Sequence, residues 1–405
     1  VKRVLFVDDE TRVLDGLRRM LHKHRNLWDM VFVSSGQAAL DELAKSGFDV
    51  LVSDMRMPQM DGAALLAVVQ EKYPKVVRIV LSGHTEMEAA LRAVPVAHQF
   101  LSKPCSPEQL LEMVKRATGL KDLLADATLQ HTIGRIKQLP AFPRTYHALL
   151  AALHNPNVGM KEIAGIVGRD VGLCAKLLQL VNSAFFGLSR RVTSIETAVS
   201  LLGTNMVKNL VLSLEVFQGT PGHNRLFSTD VLQQHCFFAG NVARSLLKDA
   251  HEADDAFAAG VLHDLGELIL LTGLPDLFRE TVRRGTETKT SRHAVELEKM
   301  GVTHAEVGAY LLGLWGLPYC IVEAVAHHHH PRDVDGANVR VLAAVHVADR
   351  LLQETQLGDQ VAEATPGEIH PACVEALGGA ALLPEWRKLV EEQEAAIQKE
   401  VAGAG

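Results

Sequence analysis

The chain has little that would staple it, span a membrane or hold a polyanion. Its five cysteines, Cys105, Cys174, Cys236, Cys320 and Cys373, are scattered through 405 residues with no CxxC pair. That spacing excludes a disulfide framework and a thiolate zinc site, and leaves reduced, half-buried bystanders. Aromatic residues are only 5% of the chain, in keeping with Ala- and Leu-rich helices. Positive charge is not in excess: 41 Lys and Arg against 48 Asp and Glu give a net charge of −7. Nothing electrostatic therefore points to nucleic acid as the main partner. No basic-then-apolar leader opens the sequence, and the most apolar stretch, Ala258 to Leu271, is broken by His263, Asp264 and Glu267. A membrane span is not expected and a cytoplasmic location is.

What is present is a globular composition, 47% hydrophobic and 22% charged, in a chain too long for one ordinary core. The first part alternates short β-branched runs with amphipathic stretches, the pattern of a parallel sheet covered by helices. Strands are predicted at Val4–Val7, Met30–Val33, Val50–Ser53, Val77–Leu81 and Gln99–Leu101. Beyond Pro104 and Pro107 a helical pattern runs to about Gln138 as a linker or signalling helix. From Leu139 onward every pattern is helical, divided by turn signals such as Asn155-Pro156-Asn157 and Asp335-Gly336. The expected architecture is a doubly wound, flavodoxin-like α/β domain with a five-stranded parallel sheet, followed by an all-α region. The divisions are residues 1–118, a linker at 119–138, a helical domain at 139–335 and a C-terminal helical region at 336–405.

Asp8 and Asp9 follow the first predicted strand and Asp54 follows the third, so a doubly wound sheet brings all three carboxylates to its carboxyl edge. Crowded acids need a cation, and Mg²⁺ suits hard oxygen ligands and can bridge a carboxylate to a phosphate. Asp54 is then a candidate nucleophile forming an acyl phosphate. Lys103, ending the fifth strand, supplies positive charge, and the Ser82 hydroxyl can donate to a phosphoryl oxygen. A single acid at a strand end caps a helix or faces solvent about as often as it does chemistry; five matched positions do not. Together, with the acceptor loop Ser53-Asp54-Met55-Arg56-Met57-Pro58-Gln59-Met60-Asp61-Gly62, they closely resemble the response-regulator receiver family. The resemblance implies phosphorylation of Asp54 by a sensor histidine kinase, Mg²⁺ ligation by the Arg56 carbonyl, and an inward turn of Phe100 on phosphorylation.

The helical part contains Leu-Pro-Ala-Phe-Pro from Leu139, Gly168-Arg169-Asp170, the run Lys176 to Gly187 with its Asn182-Ser183-Ala184 turn, and Leu201-Leu202-Gly203. These resemble the HDOD family, an all-helical relative of the HD phosphohydrolases. At helical spacing, His235 shares a face with Leu232, Phe238, Val242 and Leu246, and Asp264 with Val261, Leu265 and Leu268. His304 likewise lines up with Gly308, Leu311, Leu312 and Trp315, and Asp349 with Leu342, Val345 and Leu352. A buried carboxylate needs a cation, a hydrogen-bond network or a raised pKa, and one shared metal serves both acids. His235, His263, Asp264 and Asp349 resemble the ligand quartet of HD phosphohydrolases, and His304, His328 and His329 match the added ligands of HD-GYP phosphodiesterases. Such a donor set suits Fe, Mn, Zn or Ni. Two departures stand against cyclic-dinucleotide hydrolysis: Glu267 occupies the HD-GYP lysine position, and no Gly-Tyr-Pro segment follows the histidine pair.

Two functions follow. In one, Asp54 phosphorylation changes how a non-catalytic, metal-holding helical output engages a downstream protein, with a homodimer possible. In the other, the output is a receiver-controlled metal phosphohydrolase acting on a cyclic nucleotide or dinucleotide. DNA binding is weaker than either, since no basic recognition helix follows the first domain.

Overall fold

A computed structural model of the chain describes residues 2–83, 96–103, 108–111, 113–114, 158–182, 191–213, 227–331, 339–355 and 368–403, with isolated positions 93, 133, 145, 148, 149 and 152. Most of the linker helix pattern, Pro104, Pro107 and most of the Asn182-Ser183-Ala184 turn lie outside the described residues. The chain divides into two compact units: residues 1–138 with 179–191 and 310–317, and the remainder.

The first unit is built on β1 (Lys2–Val7), β2 (Trp28–Val33), β3 (Val50–Asp54), β4 (Val77–Gly83) and β5 (Gln99–Lys103), all parallel, in the order β2-β1-β3-β4-β5. Each expected strand is present and one or two residues longer at one or both ends. Val4–Val7 and Val50–Val52 are buried on both faces of the sheet, as parallel strands covered by helices must be. Helices α1 (Thr11–Leu21), α2 (Gly36–Lys45) and α3 (Gly62–Lys72) supply that cover. Ser35 and Asp61 start α2 and α3 by accepting from the Ala38 and Ala64 N–H groups at 3.2 and 2.8 Å. Strand order reverses at β1, so the carboxyl ends of β1 and β3 flank the crevice where doubly wound sheets place their chemistry.

After β5 the described residues contain no strand. They form α4 (Met160–Val167), α5 (Val171–Val181), α6 (Ile195–Ser213), α7 (Thr229–Ser245), α8 (Ala250–Leu262), α9 (Leu265–Gly273), α10 (Pro275–Thr288), α11 (Arg292–Met300), α12 (His304–Leu314), α13 (Tyr319–His327), α14 (Val339–Gln353), α15 (Pro371–Ala376) and α16 (Leu383–Gly403). One expectation is corrected here. Asp264 does not continue a helical face with Val261 and Leu265: α8 stops at Leu262, Asp264 adopts φ −99° and ψ 17°, and α9 restarts at Leu265. The break turns both polar side chains toward one point, which an unbroken helix could not do.

Glycines let the site-bearing helices meet. A Cβ on Gly260 of α8 would lie 2.7 Å from the Gly240 Cα of α7, and a Cβ on Gly266 of α9 would lie 1.8 Å from the His304 carbonyl oxygen at the start of α12. Only hydrogen fits at either crossing. The stretch Ala250–Gly273 is long and apolar enough to cross a membrane by length and composition, yet 83% of an apolar 18-residue part of it is buried within the protein. Cys174, Cys236 and Cys373 are fully buried and Cys320 half-buried, all as free thiols. Burial pushes the Cys174 and Cys236 thiols well up, which makes them inert; they are more deeply buried than the sequence suggested.

Candidate functional site

The sheet edge gathers three of the expected groups. Asp8 is 1% exposed and Asp54 6%, and the Lys103 ammonium ion-pairs with both, 2.6 Å from Asp8 Oδ2 and in very close contact with Asp54 Oδ1. The remaining carboxylate oxygens are also held: the Glu10 N–H donates to Asp8 Oδ1 at 3.0 Å and the Arg56 N–H to Asp54 Oδ2 at 2.8 Å. Burial pushes the Asp54 carboxyl up, against the opposing pull of Lys103. Burial alone would lower the Lys103 ammonium, but its bonds to Asp54 and Asp8 outweigh that and raise it. Asp9 stands exposed beside Asp8. Arg56 is exposed with its backbone beside Asp54, Phe100 is buried, and Ser82 is the penultimate residue of β4, in register with Ser102. The Ser82 side chain lies outside the described residues. Two buried carboxylates against one ammonium leave excess negative charge framed by hard oxygens, a donor set that fits Mg²⁺.

The helical unit brings all seven of its expected residues to one place. His235 comes from α7, His263 and Asp264 from the α8–α9 break, His304 from the first residue of α12, His328 and His329 from the end of α13, and Asp349 from α14. All are buried. His235 Nε2 lies 3.2 Å from Asp349 Oδ1 and 3.2 Å from His263 Nε2, while His263 Nε2 lies 3.1 Å from Asp264 Oδ2. On the other side, Asp264 Oδ1 lies 3.3 Å from His304 Nε2 and 3.5 Å from His328 Nε2, and His304 Nε2 lies 2.9 Å from His329 Nε2. Two groups result, His235-His263-Asp264 and Asp264-His304-His328-His329, each with ligand atoms within 4.8 Å of one another. Asp264 belongs to both.

The tautomers are fixed from behind. A carbonyl only accepts, so His263 Nδ1–H donates to Gly260 O at 2.7 Å and His328 Nδ1–H to Val325 O at 2.8 Å. His304 Nδ1–H donates to Glu296 Oε2 at 2.6 Å, and the same oxygen accepts the His304 N–H at 2.8 Å. These three rings therefore aim their Nε2 atoms inward, the outer-layer arrangement that orients metal-binding histidines. His328 Nε2 has no hydrogen-bond partner among the described residues, although it is fully buried. A nitrogen lone pair left bare beside a carboxylate is the donor a cation would satisfy. His329 differs: Arg350 Nη2 approaches its Nδ1 at 3.3 Å, which places the ring proton on the Nε2 facing His304.

Burial alone would lower His263 and His304 and raise Asp264 and Asp349. In His263 the charge of Asp264, and in His304 that of Glu296, outweigh burial and hold both rings well above the usual imidazole range. The neighbouring histidines hold both carboxyls well below the usual range. The cluster thus attracts positive charge, whether protons or metal.

Several interactions around it were not foreseen. Glu296, fully buried on α11, was missed because it is remote from His304 in pattern; a glutamate sharing a helix face with buried Val295 and Arg292 was the available signal. Glu267 is buried and ion-paired with Arg292 in very close contact, so the position where HD-GYP enzymes carry a lysine holds a neutralised acid. His346 accepts the His370 N–H at Nε2, 2.9 Å away, and so donates from Nδ1 to the His328 carbonyl at 2.6 Å. That links the start of α15 to the histidine pair.

The response regulator receiver domain family matches residues 4–115 and the HDOD domain family matches residues 139–331. An uncharacterized protein of Treponema pallidum is 28% identical over 246 residues, 60% of this chain and 46% of that protein. The hydrogenase transcriptional regulatory protein HoxA of Cupriavidus necator is 38% identical over 125 residues, 30% of this chain and 25% of HoxA. The matched stretches thus span less than half of either relative. Among solved structures, the MmoQ response regulator from Methylococcus capsulatus is 24% identical with a TM-score of 0.49, covering 62% of this chain and 98% of its own.

Proposed function

We propose that this chain, which joins an N-terminal receiver domain to a C-terminal HDOD domain, is a two-component response regulator that accepts a phosphoryl group on Asp54 and signals through a metal-holding output. The reading rests on the convergence of Asp8, Asp54 and Lys103 at the sheet edge. The donor is a sensor histidine kinase. An Asp54 carboxylate oxygen attacks the phosphorus of the phosphohistidine, forming an O–P bond as the N–P bond breaks and the imidazole leaves. Burial strips water from that oxygen, the Arg56 N–H orients its partner oxygen, and Lys103 offsets the charge gathering on the phosphoryl group. Mg²⁺, held by Asp8, Asp9, Asp54 and the Arg56 carbonyl, would supply further neutralisation at the transferred oxygens. Acetyl phosphate should label the protein with Mg²⁺ present and not after chelation; labelling indifferent to Mg²⁺ would count against this chemistry. The reaction belongs to the cytoplasm, where kinase and acyl phosphate donors reside.

In the output, the groups His235-His263-Asp264 and Asp264-His304-His328-His329 would hold Fe, Mn, Zn or Ni, with Asp349 beside the first group, 3.2 Å from His235. Such a cluster favours a second reading, a receiver-controlled phosphohydrolase, because paired ions sharing a carboxylate can activate water against a phosphodiester. The Glu267–Arg292 pair favours the non-catalytic output, since it replaces a lysine with a closed ion pair. Cyclic mononucleotide and dinucleotide hydrolysis by Mn- or Fe-loaded protein, with and without acetyl phosphate, separates them: turnover supports the enzyme and its absence the signalling module.

Metal loading should depend on pH in a direction set by the protons it displaces. His263 and His304 have raised folded pKa values, so their contribution in metal-free protein is complete below about 6.5 and lost as pH rises through the raised values. Asp264 and Asp349 are depressed, so theirs is present above about 3.8 and lost as pH falls through the lowered values. Metal-free protein is best served between these limits, and above them metal replaces the departing protons. The rise in melting temperature on adding Zn²⁺ should therefore grow from pH 6 to pH 8; a rise that shrinks would contradict the assignment.

A further inference from the structure

The cluster is buried, and histidines continue outward from it. His304 is 1% exposed and His329 9%. Beyond them His293 on α11 is half-buried and His330 is exposed. The ring centroids of His330 and His293 are 4.6 Å apart, those of His293 and His329 4.9 Å, and those of His329 and His304 4.9 Å. Two imidazoles sharing one ion through bonds of about 2.0–2.1 Å hold their centroids roughly 5 Å apart. Each successive pair in this line therefore has the separation of a pair that could bridge an ion. Exposure falls step by step along it, from solvent to the atom facing Asp264.

We propose that His330 and His293 form an outer station that captures a divalent first-row transition ion and hands it through His329 to the buried cluster. The proposal rests on the reading of that cluster as a metal site. Each step is a ligand exchange without redox: a new nitrogen–metal bond forms as a water, or the previous imidazole, leaves. The ion and the imidazoles take part, and a ring that carries a proton on the binding nitrogen, as His329 does on Nε2, releases it to water as the nitrogen–metal bond forms. His329 suits the handover because its Nε2 already faces His304 and its ring also touches His293. His293 and His330 belong to neither ligand group, so they act on passage and not on the resting affinity.

A station on the path differs from a ligand at the destination by a thermodynamic requirement. It changes the rates of uptake and loss by one factor and leaves their ratio, the equilibrium constant, unchanged. A ligand changes the ratio.

The test is stopped-flow uptake of Co²⁺ and Zn²⁺ by metal-free, full-length protein. Co²⁺ is followed by its ligand-field absorption and Zn²⁺ by competition with a chromophoric chelator. His330→Ala alters an exposed side chain, and His293→Gln keeps bulk at the half-buried position should the smaller residue fold poorly. Each variant should load and unload roughly tenfold more slowly, as when a passing ion loses one imidazole, with final stoichiometry and affinity as in the parent. The exposed neighbour His327 lies outside the line, and His327→Ala should load at the parent rate. Parent-rate loading by both His330→Ala and His293→Gln would overturn the station, as would weakened affinity at unchanged uptake rate. If the parent itself binds no metal, the metal-site reading fails with it, a result distinguishable from failure of the station alone.

Discussion

Asp264→Ala protein should lose bound metal almost completely, while His235→Ala should lose only part of it. The difference follows from Asp264 serving both ligand groups, whereas His235 serves one. Metal-free protein should feel the change too. Asp264 is the counter-charge of His263 and His304 in a fully buried setting, and removing one member of a buried ion pair costs about 3–5 kcal/mol. Thermal or denaturant melts of metal-stripped samples measure that loss, and elemental analysis of loaded samples measures the first. Full metal content in Asp264→Ala would mean that the seven side chains are a packed polar core. A partial loss equal to that of His235→Ala would mean that Asp264 is not shared.

Asp54→Ala should abolish labelling by acetyl phosphate, a loss of several orders of magnitude, because it removes the carboxylate oxygen that would attack the donor beside Lys103 and the Arg56 N–H. The same variant should be at least as stable as the parent. Burial makes ionised Asp54 costly, which is why its carboxyl is pushed up, and a small apolar residue carries no such cost. Loss of labelling together with an intact melt would separate chemistry from folding. Persistent labelling would move the acceptor to another residue.

The receiver was legible because its signals are local. Short runs such as Val4–Val7 and Val50–Ser53 end on acids, and the alternating fold places those ends together whatever the details of packing. The third and fifth strands extend further than predicted because Asp54 and Ser102-Lys103 lower hydropathy without breaking the ladder. The output cluster was legible for a different reason: each ionisable residue sat on an otherwise apolar helix face. That logic misplaced Asp264 itself. The α8–α9 break has no glycine or proline at its centre to announce it, and the close approach of Gly266 to the His304 carbonyl just beyond it is a tertiary contact. Residues that support the ligands were not legible, because Glu296, Arg350 and His346 are joined to them only by packing. A sequence shows which polar groups must be buried; it does not show which of them will face each other.

A direct measurement is peptide mapping of wild-type protein after treatment with acetyl phosphate and Mg²⁺, then with borohydride, which reduces an aspartyl phosphate to homoserine. Homoserine should be found at position 54 and only in samples that saw both donor and metal. Reduction at Asp8, Asp9 or Asp61 instead, or at no position in a folded sample, would contradict phosphoryl transfer to the carboxylate that Lys103 holds.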